Sequence, residues 1–195
     1  MIYERQFNSF IDQKSLQFYR FLIFEDNLML NLRSLGLLDY DTYLFHRRWM
    51  ERAIKLAQEA GAVAEVPVGA VIIDSQKKLV AAANNRKQRE RDATAHAEIL
   101  AIRAASKIKN NFYLTDCTLY VTLEPCPMCT GAIIHSRLNL LVYGIHDPKT
   151  GAIRTTLNLP DSFCSNHQLK VLSGIKELEC RQQLQDWFKQ KRNKR

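Results

Sequence analysis

The sequence predicts an α/β domain with helices on both faces of a sheet, a three-layer helix-sheet-helix arrangement. Two observations carry this expectation. Apolar and β-branched runs at 66–74, 78–84, 118–123 and 140–145 alternate with segments of helical period. The chain has 195 residues and is 46% hydrophobic, which suits one domain with a real core and an appendage.

Residues 1–40 hold Phe7, Phe10, Phe18, Tyr19, Phe21 and Phe24 but no nameable motif. A loose helical spacing runs through Leu16, Tyr19, Ile23 and Leu30, as in an amphipathic helix that docks elsewhere. An upstream start is the other reading, with Met29 nearer to where the domain begins. Glu4, Asp12, Glu25 and Asp26 speak against a transit peptide. We expect a dispensable N-terminal extension over 1–40 and one domain over 41–195.

That domain opens with a helix over 41–60, its inner stripe being Trp49, Ala53, Leu56 and Ala60, with Gly61 to end it. Ser75-Gln76-Lys77 is a polar turn between the first two strands, and 86–91 is a charged loop. Asp92 or Thr94 can cap the next helix, whose apolar row is Ala95, Ile99 and Ile102. The 118–123 strand delivers Cys126 to the head of another helix, and the 140–145 strand leads into a loop at 146–151. A short strand at 169–172 and a terminal helix at 175–191 complete the order. There is no internal repeat and no low-complexity segment.

Net charge is +8 and the pI about 9.3, consistent with a polyanionic partner. The basic end, 189–195, follows an aromatic pair, Trp187 and Phe188, one of which could flank a splayed base. No apolar run approaches the ~20 residues that span a bilayer. The five cysteines show no disulfide spacing, which points to a reducing, cytosolic setting. Cys117, Cys164 and Cys180 read as ordinary buried thiols.

The chemistry lies in Thr94-Ala95-His96-Ala97-Glu98 and Pro125-Cys126-Pro127-Met128-Cys129. One His and two Cys supply three zinc ligands, and no fourth Cys or His stands at a ligand spacing. A catalytic zinc keeps one position for water, so the site reads as open. Cys126 and Cys129 share a face if Pro125 opens their helix, and a helix N-terminus acidifies thiols there. His96 and Glu98 would point apart inside a helix, so they converge only at its mouth. Neither candidate cap stands three residues before Glu98, so no capping box claims its carboxylate and it is free for proton transfer.

His-Ala-Glu followed by Pro-Cys-x-x-Cys is similar to the zinc-dependent cytidine/deoxycytidylate deaminase superfamily signature. The resemblance extends to Val66-Pro67-Val68-Gly69-Ala70-Val71, Asn85-Arg86, Leu119-Tyr120-Val121-Thr122-Leu123-Glu124, Ile134-His135-Ser136-Arg137 and Asp147-Pro148-Lys149-Thr150-Gly151. Over roughly residues 46–192 the chain resembles the bacterial tRNA-specific adenosine deaminases (TadA type). That resemblance implies a cytidine-deaminase-like fold with a mixed five-stranded sheet and zinc-bearing helices on one face. It implies one Zn2+ per subunit on His96, Cys126 and Cys129, with Glu98 as acid/base and not a ligand. It implies substrate contacts from Asn85 and Asp147, each of which also reads as a turn residue. The implied activity is hydrolytic deamination of adenosine to inosine at the wobble position of a tRNA anticodon, by a cytoplasmic homodimer with no membrane association.

The alternatives are a deaminase of a free base, nucleoside or nucleotide (cytosine, guanine or deoxycytidylate type) and a non-catalytic zinc-containing RNA-binding subunit. Arg137, Lys149 and Arg154 read as phosphate contacts or solvated charges, His135 as a packed core residue, and His46 and His167 as surface or structural. The sequence departs from the pattern at Ala93, where the family often has Pro, and in the charged 86–91 loop.

Overall fold

The computed structural model describes residues 39–193. They fall into two compact units divided between Phe45 and His46, inside helix α1 (Tyr40–Ala62). In the first unit Asp39 accepts hydrogen bonds from the Thr42 backbone N–H at 2.9 Å and its hydroxyl at 2.6 Å, so it caps α1. Nearly all of the expected extension lies outside the described residues.

The second unit is built on five strands: β1 (Gly69–Ile73), β2 (Leu79–Asn84), β3 (Thr118–Leu123), β4 (Leu140–Ile145) and β5 (Lys170–Ser173). Their order in the sheet is β2-β1-β3-β4-β5. β1 is antiparallel to β2 and β3, while β3, β4 and β5 run parallel. The mixed five-stranded sheet is therefore as expected. A tight turn suffices between β1 and β2, with Lys77 at φ 62 and Lys78 N–H donating to Asp74 Oδ1 at 2.9 Å. Parallel β3 and β4 need a crossover, supplied by α4 (Pro127–His135).

Side chains alternate across the sheet and both faces are covered, so the inner strands are apolar on both sides. Ala70, Ile72, Leu119, Val121, Leu141 and Tyr143 share one buried cluster with Ala97, Ala101 and Ala105 of α3 (Ala97–Lys109) and Ile133 of α4. The opposite face meets α1 and α5 (Glu177–Asn193). There Tyr120 bonds His46 Nδ1 at 2.8 Å, and a Cβ on Gly144 would fall 2.5 Å from Cys180 Sγ. A Cβ on Gly69 would fall 2.0 Å from the Ala53 carbonyl oxygen, so α1 lies directly against the start of β1.

Several local expectations shift. The buried stripe of α1 in this unit is His46, Met50, Ala53, Ala57 and Ala60, with Trp49 and Leu56 half-buried. Gly61 does not end the helix, which runs to Ala62 before Ala64 turns at φ 69. Instead Gly61 accommodates Trp187, whose Nε1 donates to the Gly61 carbonyl at 3.3 Å. That contact makes Trp187 the packed member of its pair and leaves Phe188 exposed. The charged 86–91 loop contains a short helix, α2 (Lys87–Glu90).

Candidate active site

Two helix N-termini meet at the carboxyl end of β3. His96 is the N-cap of α3 and Cys126 the N-cap of α4, both with extended backbone and neither with a side-chain capping bond. A cap contributes about 1 kcal/mol when its side chain bonds the helix. Here both side chains turn toward each other. His96 Nδ1 lies 3.7 Å from Cys126 Sγ and 3.5 Å from Cys129 Sγ.

The sequence expectation needs two corrections at this point. Pro127 rather than Pro125 holds the first helical position, where its missing N–H costs nothing. Pro125 stands outside the helix, and its carbonyl accepts the N–H of Ala152 at 2.9 Å. Asp92 and Thr94 cap no helix but bond one another, through the Thr94 N–H and hydroxyl, both at 2.7 Å.

The ligand atoms of His96, Cys126 and Cys129 all lie within 4.8 Å of one another, and no other His, Cys, Asp or Glu joins that cluster among the described residues. Hydrogen bonding from the Cys129 thiol, then from His96, brings the Cys126 thiol down to about 4. Cys129 moves the opposite way, raised first by its bond to Cys126 and then by burial. The bond with Cys126 raises His96. A ready thiolate, a second thiol and an imidazole within one ion's reach are a donor set that fits zinc.

Glu98 follows two residues after His96 and is only 5% exposed. Burial lifts its carboxyl above the ordinary carboxylate range. Glu98 thus stands in the first turn of α3, at the helix mouth that the i, i+2 spacing requires.

Two loops flank this centre, and each is organised by a buried carboxylate that sequence reasoning missed. Glu65, 1% exposed, accepts from Asn85 Nδ2 at 3.3 Å, Gln88 N–H at 3.1 Å and Arg89 N–H at 2.7 Å. Arg86 N–H then bonds the Ala95 carbonyl at 3.0 Å, which brings the Asn85 segment to the residue before His96. Glu124, 2% exposed, gathers the 146–155 loop. Its Oε1 accepts the N–H groups of Ile153, Arg154 and Thr155, and its Oε2 accepts Asp147 N–H and the Thr155 hydroxyl. Both residues carried one legible signal: a lone charge bordering an apolar strand, which burial obliges to find donors.

Asp147 is occupied within its own turn. Its carboxylate accepts Lys149 N–H at 2.9 Å and the Thr150 hydroxyl at 2.7 Å. His135 is exposed at the end of α4, contrary to the packed position expected. His46 is structural, and His167 bonds the Leu138 carbonyl at 2.7 Å. Cys117 and Cys180 are buried thiols as expected, whereas Cys164 is exposed. No helix among the described residues is long and apolar enough to cross a membrane.

Comparison with known proteins places the geometry in context. Residues 44–145 match the cytidine and deoxycytidylate deaminase zinc-binding region. The tRNA-specific adenosine deaminase of Haemophilus influenzae is 44% identical over 151 residues, spanning 77% of this chain and 87% of that protein. A solved structure from work on A-to-I editing by tRNA:A34 deaminases at the wobble position superposes with a TM-score of 0.68 at 39% identity, covering 70% of this chain and 98% of that one. A guanine deaminase from Nitrosomonas europaea gives a TM-score of 0.61 at 25% identity over 72% and 83% of the two chains.

Proposed function

The chain belongs to the cytidine and deoxycytidylate deaminase family, and on that premise we propose that it converts adenosine to inosine at the wobble position of a tRNA anticodon. The observation that carries the reading is the buried carboxyl of Glu98 beside the three clustered ligand atoms. The 44% and 39% identities to tRNA adenosine deaminases supply the substrate.

His96, Cys126 and Cys129 would hold the zinc, one ion per subunit, since the described residues contain one such cluster. When bound, zinc supplies Lewis acidity that makes water a competent nucleophile near neutral pH. Glu98 does the proton work. It takes a proton from the attacking water and delivers it to the purine ring nitrogen, then takes the proton of the new C6 hydroxyl and gives it to the leaving amine as the C6 carbonyl forms. A C–O bond forms at C6, the C6–N bond breaks, and adenosine plus water becomes inosine plus ammonia. The raised affinity of Glu98 for a proton suits a group that must carry one between steps.

Asn85, its amide nitrogen already committed to Glu65, is the proposed substrate contact from the first loop. Asp147 is proposed to serve the substrate from the second loop, where its side chain shapes the turn. An anticodon loop offers unpaired bases that side chains can read, and it needs little energy to expose one. A tRNA substrate implies a cytoplasmic location. The homodimer comes from the family resemblance, and sedimentation at two protein concentrations checks it.

The likeness to a guanine deaminase favours a free-base substrate as the second reading, at lower identity. Turnover of anticodon stem-loops with A or C at the wobble position, set against free adenosine, cytosine and guanine, separates the two. Inosine from the A-containing loop alone is the expected result. Release of ammonia from guanine or cytosine, with the stem-loops untouched, would transfer the site to the second reading.

A further inference from the structure

We infer that Glu124 is a positioning residue that fixes the 146–155 loop beside the metal centre as a phosphate-contacting surface for RNA, with Lys149 and Arg154 as its cations. The inference rests on the tRNA reading above. β3 ends at Leu123, and Glu124 stands two residues before Cys126. The loop wraps this one side chain. Oε1 accepts from Ile153 N–H at 3.1 Å, Arg154 N–H at 2.9 Å and Thr155 N–H at 3.1 Å. Oε2 accepts Asp147 N–H at 3.1 Å and the Thr155 hydroxyl, and it faces His146 Nδ1 at 3.3 Å. Gly151 closes the wrap, because a Cβ there would fall 2.5 Å from Glu124 Oε2.

A purely stabilising role would leave the direction of the loop's outer residues without consequence. The bonding pattern argues otherwise. Lys149 and Arg154 are both exposed, yet the main-chain N–H of each is tied down. Glu124 holds Arg154 directly, and it holds Asp147, whose carboxylate holds Lys149. One buried carboxylate thus sets the backbone beneath two cations. Ala152 N–H also bonds the Pro125 carbonyl at 2.9 Å, so that backbone is referenced to the residue preceding a metal ligand. Cations in register with the reacting centre are what an extended polyanionic substrate can use, whereas a free base has no phosphates to reach them.

The test compares zinc-loaded, full-length wild type with Glu124→Gln on an anticodon stem-loop carrying wobble A, at several salt concentrations. Gln keeps the shape but brings an N–H2 to a place built for acceptors. We expect KM to rise about tenfold, kcat to stay within about threefold, and zinc content to match wild type. The slope of log affinity against log salt should fall by about 0.7 for each phosphate that a cation no longer neutralises. Lys149→Ala/Arg154→Ala should lower the slope equally, and adding Glu124→Gln to it should lower the slope no further. If Glu124→Gln does not fold, Thr155→Ala, which removes one donor to Glu124, should show the same pattern more weakly. A fall in melting temperature with KM and salt slope unchanged would overturn the inference, as would a kcat loss at constant KM. Failure of wild type to make inosine would overturn the tRNA reading and this inference with it, whereas the outcomes above sink the inference alone.

Discussion

The mouth of α3 and the end of β3 each bury a glutamate two residues from a member of the His96, Cys126 and Cys129 cluster, and the two carboxyls are driven in opposite directions. Glu98 is lifted above its ordinary range because burial dominates its surroundings. Glu124 suffers burial too, but the Thr155 hydroxyl and the N–H groups of Arg154, Asp147 and Thr155 outweigh it and hold the group below its ordinary range. Burial alone does not set the proton affinity of a carboxyl. The number of donors aimed at it decides. The region poor in donors keeps a carboxyl that can exchange a proton, and the region rich in donors uses its carboxylate to hold a loop.

The largest effect expected is on the metal. Cys129→Ala should lower zinc content well below one ion per chain and reduce deamination by at least about 10³-fold, since an open catalytic site cannot spare one of three ligands. Metal analysis beside turnover checks it, and full zinc occupancy with normal rates would remove Cys129 from the site. The two glutamates then separate by stability. Glu124→Gln should cost about 2–4 kcal/mol in denaturant unfolding, because several N–H groups lose a charged acceptor. Glu98→Gln should leave stability unchanged or raise it, since it replaces a buried group whose charged form is disfavoured. Equal losses in both variants would erase the contrast.

Smaller effects extend the comparison to the other loop. Glu65→Gln should cost about 1–3 kcal/mol and speed hydrogen exchange at the Gln88 and Arg89 amides selectively. Uniform acceleration along the chain would show that Glu65 does not act on that loop in particular. Asp147→Ala should cost about 1 kcal/mol or less, as an exposed turn loses its two local bonds. A loss above about 3 kcal/mol would contradict so local a role.

Much of this was legible in the sequence because it was local. Strand period placed β3 and β4 at their observed bounds. The i, i+2 spacing of His96 and Glu98 required a helix mouth, which is where they stand. Boundary details failed where two signals competed. Pro125 and Pro127 are both acceptable at a helix start, but the Pro125 carbonyl is taken by the Ala152 N–H and the Thr130 hydroxyl, and the helix begins at Pro127. Asp92 and Thr94 look like caps because each can accept an N–H, yet they satisfy each other. Glu65 and Glu124 were missed for a different reason. Most of their partners are main-chain amides 23 to 31 residues away, and every residue except proline offers such an amide. No side-chain pattern marks which ones will arrive.

The measurement that bears most directly on the account is inosine formation on an anticodon stem-loop with wobble A, by wild type and Glu98→Ala matched for zinc content. Inosine from wild type, with a loss of at least about 10³-fold in the variant at unchanged stem-loop affinity, is the predicted result. A variant that makes inosine at the wild-type rate would remove Glu98 from the chemistry. A wild type that binds the loop, carries zinc and releases no ammonia would contradict the deaminase itself.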